Sequence, residues 1–227
     1  MTNHRSAVIR GKVARFTRLN GCGVPVSNTK GTLATDGYVK ITITQQWQEG
    51  VDTAVKNANG KLDVTDKTKD QLKRVEVVME FTRIDPEAIS LVDGNPTILN
   101  AKGDSVGFGM GSNATDVYFG LETWQDITNT ACGTAKPYFH YTVPYLGNGK
   151  IDGEVVIQEE TASFTMKAES YAPNSWGASP YLVDLNASDA AAGLFTPIDP
   201  NEHVRGQRTL VAPPAPTAGL VPLVVTP

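Results

Sequence analysis

The sequence LKRVEVVMEFTRI occupies residues 72–84 and alternates apolar and polar side chains with a period of two. Val75, Val77, Met79 and Phe81 share one face of an extended chain, while polar residues dominate the other face. Successive side chains of a strand point to opposite faces of a sheet, so this alternation predicts a long, half-buried strand. A mainly β fold is therefore the expectation for the whole chain.

A second long strand is predicted immediately upstream. Residues 38–47, YVKITITQQW, alternate in the same way, with Val39, Ile41 and Ile43 on one face. The turn sequence Asn57–Gly60 lies between the two strands, and its Asn and Gly residues supply the positive φ angles that tight turns need.

The long strand stops at Asp85-Pro86, where a short helix is predicted over Pro86–Asp93. Asp85 is suited to cap its first turn, Pro86 to occupy its first position, and Gly94 to end it. Ile84 and Ile89 are spaced as a hydrophobic staple.

The rest of the chain predicts shorter elements separated by turns. A glycine-dense loop is expected at 103–111, an irregular segment at 173–181 and one helical turn at 187–193. Asn148-Gly149 is expected to be a turn between strands. Further strands are predicted at 116–124, 138–145, 155–158 and 163–171.

Three regions are predicted along the chain: an N-terminal arm (1–35), a β core domain (36–195) and a Pro-rich C-terminal arm (196–227). The first arm is basic and rich in glycine, and the second contains the run PPAP at 213–216. Ordering each arm residue costs about 1–2 kcal/mol of conformational entropy. The arms are therefore expected to lie on neighbouring subunits.

Composition excludes several classes of protein. The 227 residues carry a formal net charge of −4, which argues against a protein that holds nucleic acid through its phosphates. No apolar run approaches the ~18 residues of a membrane span, and the basic N-terminus has no signal-peptide core. Cys22 and Cys132 are the two cysteines, and both are expected to be free thiols.

Two motifs resemble a catalytic site and a calcium site, but each lacks a feature that such a site requires. Residues 103–107, GDSVG, match the nucleophile elbow of serine hydrolases, and Asp184 and His203 follow in the required order. The sequence after Ser105 is too rich in glycine for the helix that an elbow requires. An EF-hand-like spacing from Asn148 to Glu159 places Lys150 where a carboxylate ligand belongs. No catalytic, cofactor or metal site is predicted, and a non-enzymatic role is expected.

Six segments together resemble a known family. They are QWQEG (46–50), VKNANGKL (55–62), LKRVEV (72–77), FTRIDPE (81–87), NSWGASPY (174–181) and HVRGQRTLVAPP (203–214). In this order they are similar to the major tail, or tail tube, proteins of siphovirus-type bacteriophages that infect actinobacteria. Ser179 stands where that family usually has glycine.

The resemblance implies a tail-tube β-sandwich or barrel with one flanking helix. Six copies would close into a hexameric ring, and stacked rings would form the tail tube through which DNA is ejected. The implied partners are the tape measure protein and double-stranded DNA in the lumen, with tail terminator and distal tail proteins at the ends. The implied location is the virion tail, assembled in the host bacterial cytoplasm.

Residue roles follow as hypotheses. The polar faces of the two longest strands are expected to line the lumen, through Thr42, Thr44, Gln46, Glu76 and Glu80. The basic N-terminal arm is expected to contact the next ring, through Arg5, Arg10, Arg15 and Arg18.

The alternatives are another virion β protein, such as a head–tail connector, tail terminator or capsid-decorating protein, and a β-sandwich carbohydrate-binding module. The connector and decorating proteins would form single rings or trimers. The carbohydrate-binding module would expose an aromatic platform, whereas Trp47, Trp124 and Trp176 are scattered along the chain.

Overall fold

The structure, a computed structural model, describes residues 7–26, 30–83, 85–127, 136–153, 163–172 and 181–223. Its elements, in chain order, are β1 (Val8–Leu19), β2 (Thr32–Thr35), β3 (Tyr38–Gln48), β4 (Asp52–Lys56), β5 (Leu62–Lys67), β6 (Gln71–Phe81), α1 (Pro86–Asp93), β7 (Thr97–Leu99), β8 (Ser105–Phe108), β9 (Tyr118–Ile127), β10 (Tyr138–Ile151), β11 (Phe164–Ser170), β12 (Asp184–Leu185), β13 (Ala191–Ala192) and β14 (Arg205–Thr209). The expected mainly β fold is confirmed.

One antiparallel sheet organises the molecule, in the order β2-β1-β9-β10-β11-β6-β3, with β14 also paired to β10. The long strand β10 belongs to two halves of this sheet. Its first part pairs with β9 and β14, and its last part pairs with β11. We call β2, β1, β9, β14 and the start of β10 the β1–β9 half, and β3, β6, β11 and the end of β10 the β3–β6 half.

The two halves face each other across the main hydrophobic core. Phe16 of β1 and Phe81 of β6 have ring centroids 6.3 Å apart, and Phe81 stacks on Phe164 of β11. The predicted apolar face of residues 72–84 is this core face, because Val75, Val77 and Met79 are fully buried. The period-two alternation therefore identified the inside of the molecule.

Helix α1 closes one side of this core with its apolar residues. The predicted caps are confirmed: Asp85 accepts hydrogen bonds from the backbone N–H groups of Glu87 and Ala88, and Gly94 has φ 74°. Ile84, the other half of the predicted staple, lies outside the described residues. Within the described residues, no helix has the length and apolar character needed to cross a membrane.

A second core covers the outer face of the β1–β9 half. Residues Tyr181, Val183, Leu194 and Ile198 pack there against Trp124 of β9. Around Trp124, and along β1 from Val13 to Leu19, the β1–β9 half is therefore covered on both faces by the chain itself. This arrangement explains why β9 is buried almost from end to end.

The predicted N-terminal arm is wrong for Val8–Leu19, which is the strand β1 and pairs with both β2 and β9. The predicted C-terminal arm also packs on its own chain. Strand β14 joins β10, and Val221 exchanges backbone hydrogen bonds with Thr32 of β2. We call residues 216–223, which run along β2, the C-terminal strap.

Several shorter predictions are also corrected. Residues 103–111 contain the strand β8, which pairs with β7, and residues 187–193 contain β13 instead of a helical turn. Asn148-Gly149 is a bulge within β10, where Asn148 takes a positive φ of 50°. The predicted strand at 155–158 lies outside the described residues, and the other predicted strands are confirmed with shifted ends.

Candidate assembly surface

The five residues predicted to line a lumen share one face of the β3–β6 half. Thr42 and Thr44 of β3 lie opposite Val78 and Glu76 of β6, and Gln46 donates a 3.1 Å hydrogen bond to Glu76. Glu80 lies on the same face, because the residues of β6 alternate between this face and the buried core face. The alternation predicted this shared face correctly, while the lumen role stays a prediction.

The same face carries charged residues that pair with one another. Lys167 of β11 lies 2.8 Å from Glu76, and Arg74 of β6 binds Glu169 of β11. Lys40 stands directly opposite Glu80. The three cations and three carboxylates of β3, β6 and β11 thus balance, and Lys150 of β10, opposite Lys167, adds one further positive charge.

Sequence reasoning missed Lys40, Arg74, Lys167 and Glu169 as members of this face. The pairing of Arg74, Lys167 and Glu169 depends on the register between β6 and β11, strands about ninety residues apart, whereas Lys40 meets Glu80 across β3 and β6. The alternation of Thr165, Lys167 and Glu169 with buried residues was the available signal.

Strand β3 forms an open edge of the sheet. It pairs with β6 and with no other strand among the residues that the structure describes. A groove of about 790 Å³ runs along it, between β3 residues such as Ile43 and Gln45 and the side chains of Thr123, Gln125 and Tyr141. An open edge of eleven residues offers unpaired backbone N–H and C=O groups to another chain.

The hairpin β4–β5 extends from the end of β3 and β6. Every residue of both strands is exposed. Val55 lies opposite Val64, so Val51, Val55 and Val64 fall on one face by alternation, whereas Leu62 lies opposite Lys56 beyond a bulge. Their exposure is between 49% and 70%. We call the side chains of Val51, Val55 and Val64 the hairpin face; Ala54, Thr65 and Lys67 lie on the opposite, polar side.

The neck of the hairpin is held firmly. Gly50 donates its N–H to Asp70, and Val51 donates to the hydroxyl of Thr68. A side chain at Gly50 would stand 1.8 Å from the carbonyl oxygen of Thr68, so the two neck segments touch. Trp47 lies beside them, 54% exposed. The neck fixes where the hairpin leaves the sheet and presents an aromatic side chain there.

The arginines predicted to contact another ring are not available as a group. Arg15 forms two hydrogen bonds to the fully buried Glu122, of 2.5 and 2.8 Å, and stacks over Trp124. Arg15 is therefore wrong as a free contact residue. Arg18 is half-buried, Arg10 is exposed, and Arg5 lies outside the described residues.

Glu122 is the centre of a buried polar network. His140 Nε2 lies 3.1 Å from Glu122 Oε1, and the Thr142 hydroxyl lies 3.2 Å from His140 Nδ1. Burial alone would raise the pKa of Glu122, but Arg15 and His140 outweigh it and hold that pKa below its ordinary value. The network is enclosed on both sides, so its charges stabilise the body and do not face solvent.

The residues of the rejected hydrolase motif are not brought together. The Ser170 hydroxyl lies 2.7 Å from His203 Nδ1, and Asp184 binds Gln207 and the N–H of Phe195. Ser105 lies on β8, in the hairpin beside α1. Ser170 also accepts the N–H of Val75, so the Ser170–His203 pair joins β6, β11 and the C-terminal region.

The search for metal sites found no group of three or more His, Cys, Asp or Glu side chains among the described residues.

No protein-family model matches this chain. No curated protein matches it either.

Proposed function

We propose that this chain is a structural virion protein that self-assembles into stacked hexameric rings, forming the tail tube of a siphovirus-type phage. The tube would conduct DNA during ejection, and the chain would have no catalytic role. One observation carries the proposal. The β3 side of the molecule ends in a long open edge and an uncovered hairpin face.

Ring closure would use the margins of the β3–β6 half. Strand β3 is one margin, and the part of β10 beyond Leu146, its last pair with β9, is the other. The β3 margin of one copy would pair with the β10 margin of its neighbour, and this head-to-tail contact would repeat from copy to copy. Such contacts form a closed ring when a whole number of the rotations between neighbouring copies makes a full turn. A closed sheet leaves no edge open to aggregation.

The polar face of the β3–β6 half would line the lumen, as the residues Thr42, Thr44, Gln46, Glu76 and Glu80 first suggested. DNA binds proteins mainly by releasing counterions from its phosphates, so free lysines and arginines would hold it in place. Here Arg74 and Lys167 form ion pairs with carboxylates on neighbouring strands, Lys40 stands opposite Glu80, and Lys150 leaves one positive charge in excess. Such a surface attracts DNA weakly, which suits a conduit.

The other partners follow from the same proposal. The tape measure protein would fill the lumen before DNA does, and terminator and distal tail proteins would close the two ends of the tube. The finished assembly would be the virion tail, built in the bacterial cytoplasm.

A second virion role has one observation in its favour. Both terminal regions pack on their own chain, through β1 and the C-terminal strap, so arm exchange between subunits is not needed. A single-ring connector or terminator, or a capsid-decorating protein, would fit this feature equally well. The geometry of the assembly separates these roles.

The experiment is negative-stain electron microscopy of the purified full chain over a wide range of concentrations. The proposal expects sixfold rings in end view and stacked tubes in side view. Single rings that never stack would support the connector role instead. A monomer at every concentration would contradict both assignments.

A further inference from the structure

A second uncovered apolar surface lies on the hairpin β7–β8 and the loop after it. Ile98, Leu99, Val106 and Met110 are 54% to 59% exposed. Phe108, opposite Thr97, packs against the main core, so Ile98 and Gly107 form the outward pair. We call the exposed side chains of Ile98, Val106 and Met110 the end patch; Leu99, opposite Ser105, alternates to the other side of β7.

The hairpin face and the end patch belong to opposite ends of the same strand ladder. Strands β3 and β6 pair from Gln48 and Gln71, beside the hairpin, to Tyr38 and Phe81 at the far end. Eleven residues of strand span about 35 Å. The turn of β7–β8, with Gly103 and Asp104, borders a cavity that Asp36 and Arg83 also line at that far end.

We propose that the hairpin face of one copy docks on the end patch of a second copy in the next ring. The inference rests on the proposed stacking and names its two surfaces. Because the surfaces differ and lie at opposite ends, the contact is heterologous. A copy that docks through its hairpin face still has a free end patch, which can receive the hairpin face of another copy. The contact therefore repeats along an axis and builds an open stack of rings.

Charge supports this orientation. Lys56 and Lys61 flank the hairpin turn and are exposed. The cavity beside the end patch has an excess of acid over base among its lining residues: Asp36, Asp85, Glu87 and Asp104 against Arg83. The basic turn of the hairpin would therefore approach an acidic rim, whereas two hairpins meeting tip to tip would bring lysines together.

Cysteine cross-linking tests the contact in the full chain. Cys22 is exposed and free, so Cys22→Ser and Cys132→Ser provide the background. The test protein carries Val55→Cys and Ile98→Cys. The matched control carries Ala54→Cys and Ile98→Cys, because Ala54 is exposed on the opposite side of the same strand. The three positions Ala54, Val55 and Ile98 tolerate cysteine, since none belongs to a core.

After mild oxidation, the Val55/Ile98 protein is expected to give a ladder of disulfide-linked multimers on a non-reducing gel, and the Ala54/Ile98 control is expected to remain monomeric. Tubes in the microscope without a Val55–Ile98 ladder would overturn this inference and leave the proposed function standing. A ladder without tubes would support the docking and contradict the tube. No association of any kind would contradict both.

Mixing two single variants gives an independent readout. Val55→Asp damages the hairpin face and leaves the end patch intact, while Ile98→Asp does the reverse. Each variant alone is expected to lose stacking, and the mixture is expected to form pairs of rings. Stacking that survives in either single variant would overturn the inference.

Discussion

Strand β1 and the hairpin β4–β5 contain similar mixtures of apolar and charged residues but have opposite fates. Ala14 and Phe16 of β1 are fully buried, and even Arg15 finds a buried partner in Glu122. The hairpin face keeps about half or more of each side chain in solvent. The chain covers both faces of β1 from Val13 to Leu19 and neither face of the hairpin.

The difference shows where the subunit is complete. An isolated two-stranded hairpin is marginally stable in water, and exposed apolar residues on it gain nothing within the subunit. The same residues gain stability when another surface covers them. The β1–β9 half therefore holds the subunit together, and the β4–β5 hairpin with the β3 edge is suited to hold subunits to one another.

The largest effect is expected at the centre of the complete region. Glu122→Gln leaves the Arg15 guanidinium buried without its counter-charge, and breaking a buried pair costs about 3–5 kcal/mol. Urea unfolding followed by Trp fluorescence measures the loss. The control is Glu80→Gln on the polar face, which is expected to change the unfolding free energy by less than about 0.5 kcal/mol. Equal losses in the two variants would break the distinction between the regions.

A smaller effect is expected where the C-terminal strap is attached. Glu87 accepts hydrogen bonds from Lys30 and from the backbone N–H of Leu220. Burial raises the pKa of Glu87, but these two bonds and nearby cations outweigh it and lower that pKa below its ordinary value. This stability is present above about pH 4.5 and is lost as the pH falls through the pKa of the folded protein.

Glu87→Gln is expected to cost about 1 kcal/mol at pH 7, because it removes the charge from both hydrogen bonds while Lys30 is half exposed and the amide oxygen can still accept. The cost should shrink below pH 4. Thermal unfolding of both proteins between pH 3 and pH 7 measures it. A cost that is the same at all pH values would contradict the role of the carboxylate.

Protonation of His203 is expected to make the unfolding free energy depend on pH more weakly than Glu87 does, and at a higher pH. Burial lowers the pKa of His203, so the unfolded chain takes up a proton before the folded protein does. The unfolding free energy should therefore fall as the pH drops below about 6.5. In His203→Asn, whose amide can still bond to Ser170, the slope between pH 5 and pH 7 should decrease. An unchanged slope would show that His203 does not cause it.

The smallest effect on stability is expected in the hairpin, together with a complete effect on assembly. Val55→Asp and Ala54→Asp add the same charge to neighbouring exposed positions on opposite sides of β4. Both should change the unfolding free energy by less than about 0.5 kcal/mol. Sedimentation velocity should show that Val55→Asp abolishes stacking, while Ala54→Asp assembles normally. Identical behaviour of the two variants would contradict a role for the hairpin face.

The parts of this fold governed by local rules could be predicted from the sequence. The strands β3 and β6 follow from their alternation, and α1 follows from Asp85 and Gly94. The shared face of Thr42, Thr44, Gln46, Glu76 and Glu80 was predicted by the same alternation.

The parts that depend on distant partners could not be predicted. The basic residues around Phe16 suggested an arm that lies on a neighbouring subunit, because the partner of Arg15, Glu122, lies 107 residues away in the sequence. The attachment of the C-terminal strap to β2 likewise depends on contacts across most of the chain, such as Thr217 to Ala34. Register between distant strands, as in Lys167 opposite Val78, is set by the folded sheet.

Hydrogen–deuterium exchange of the wild-type chain at low and high concentration tests the central claim most directly, because it follows both regions in one sample. The account predicts that amides of residues 39–68 exchange markedly more slowly when the protein is concentrated, while those of β1 and β9 stay equally protected throughout. Exchange of residues 39–68 that is independent of concentration, in a sample that still forms tubes, would contradict it.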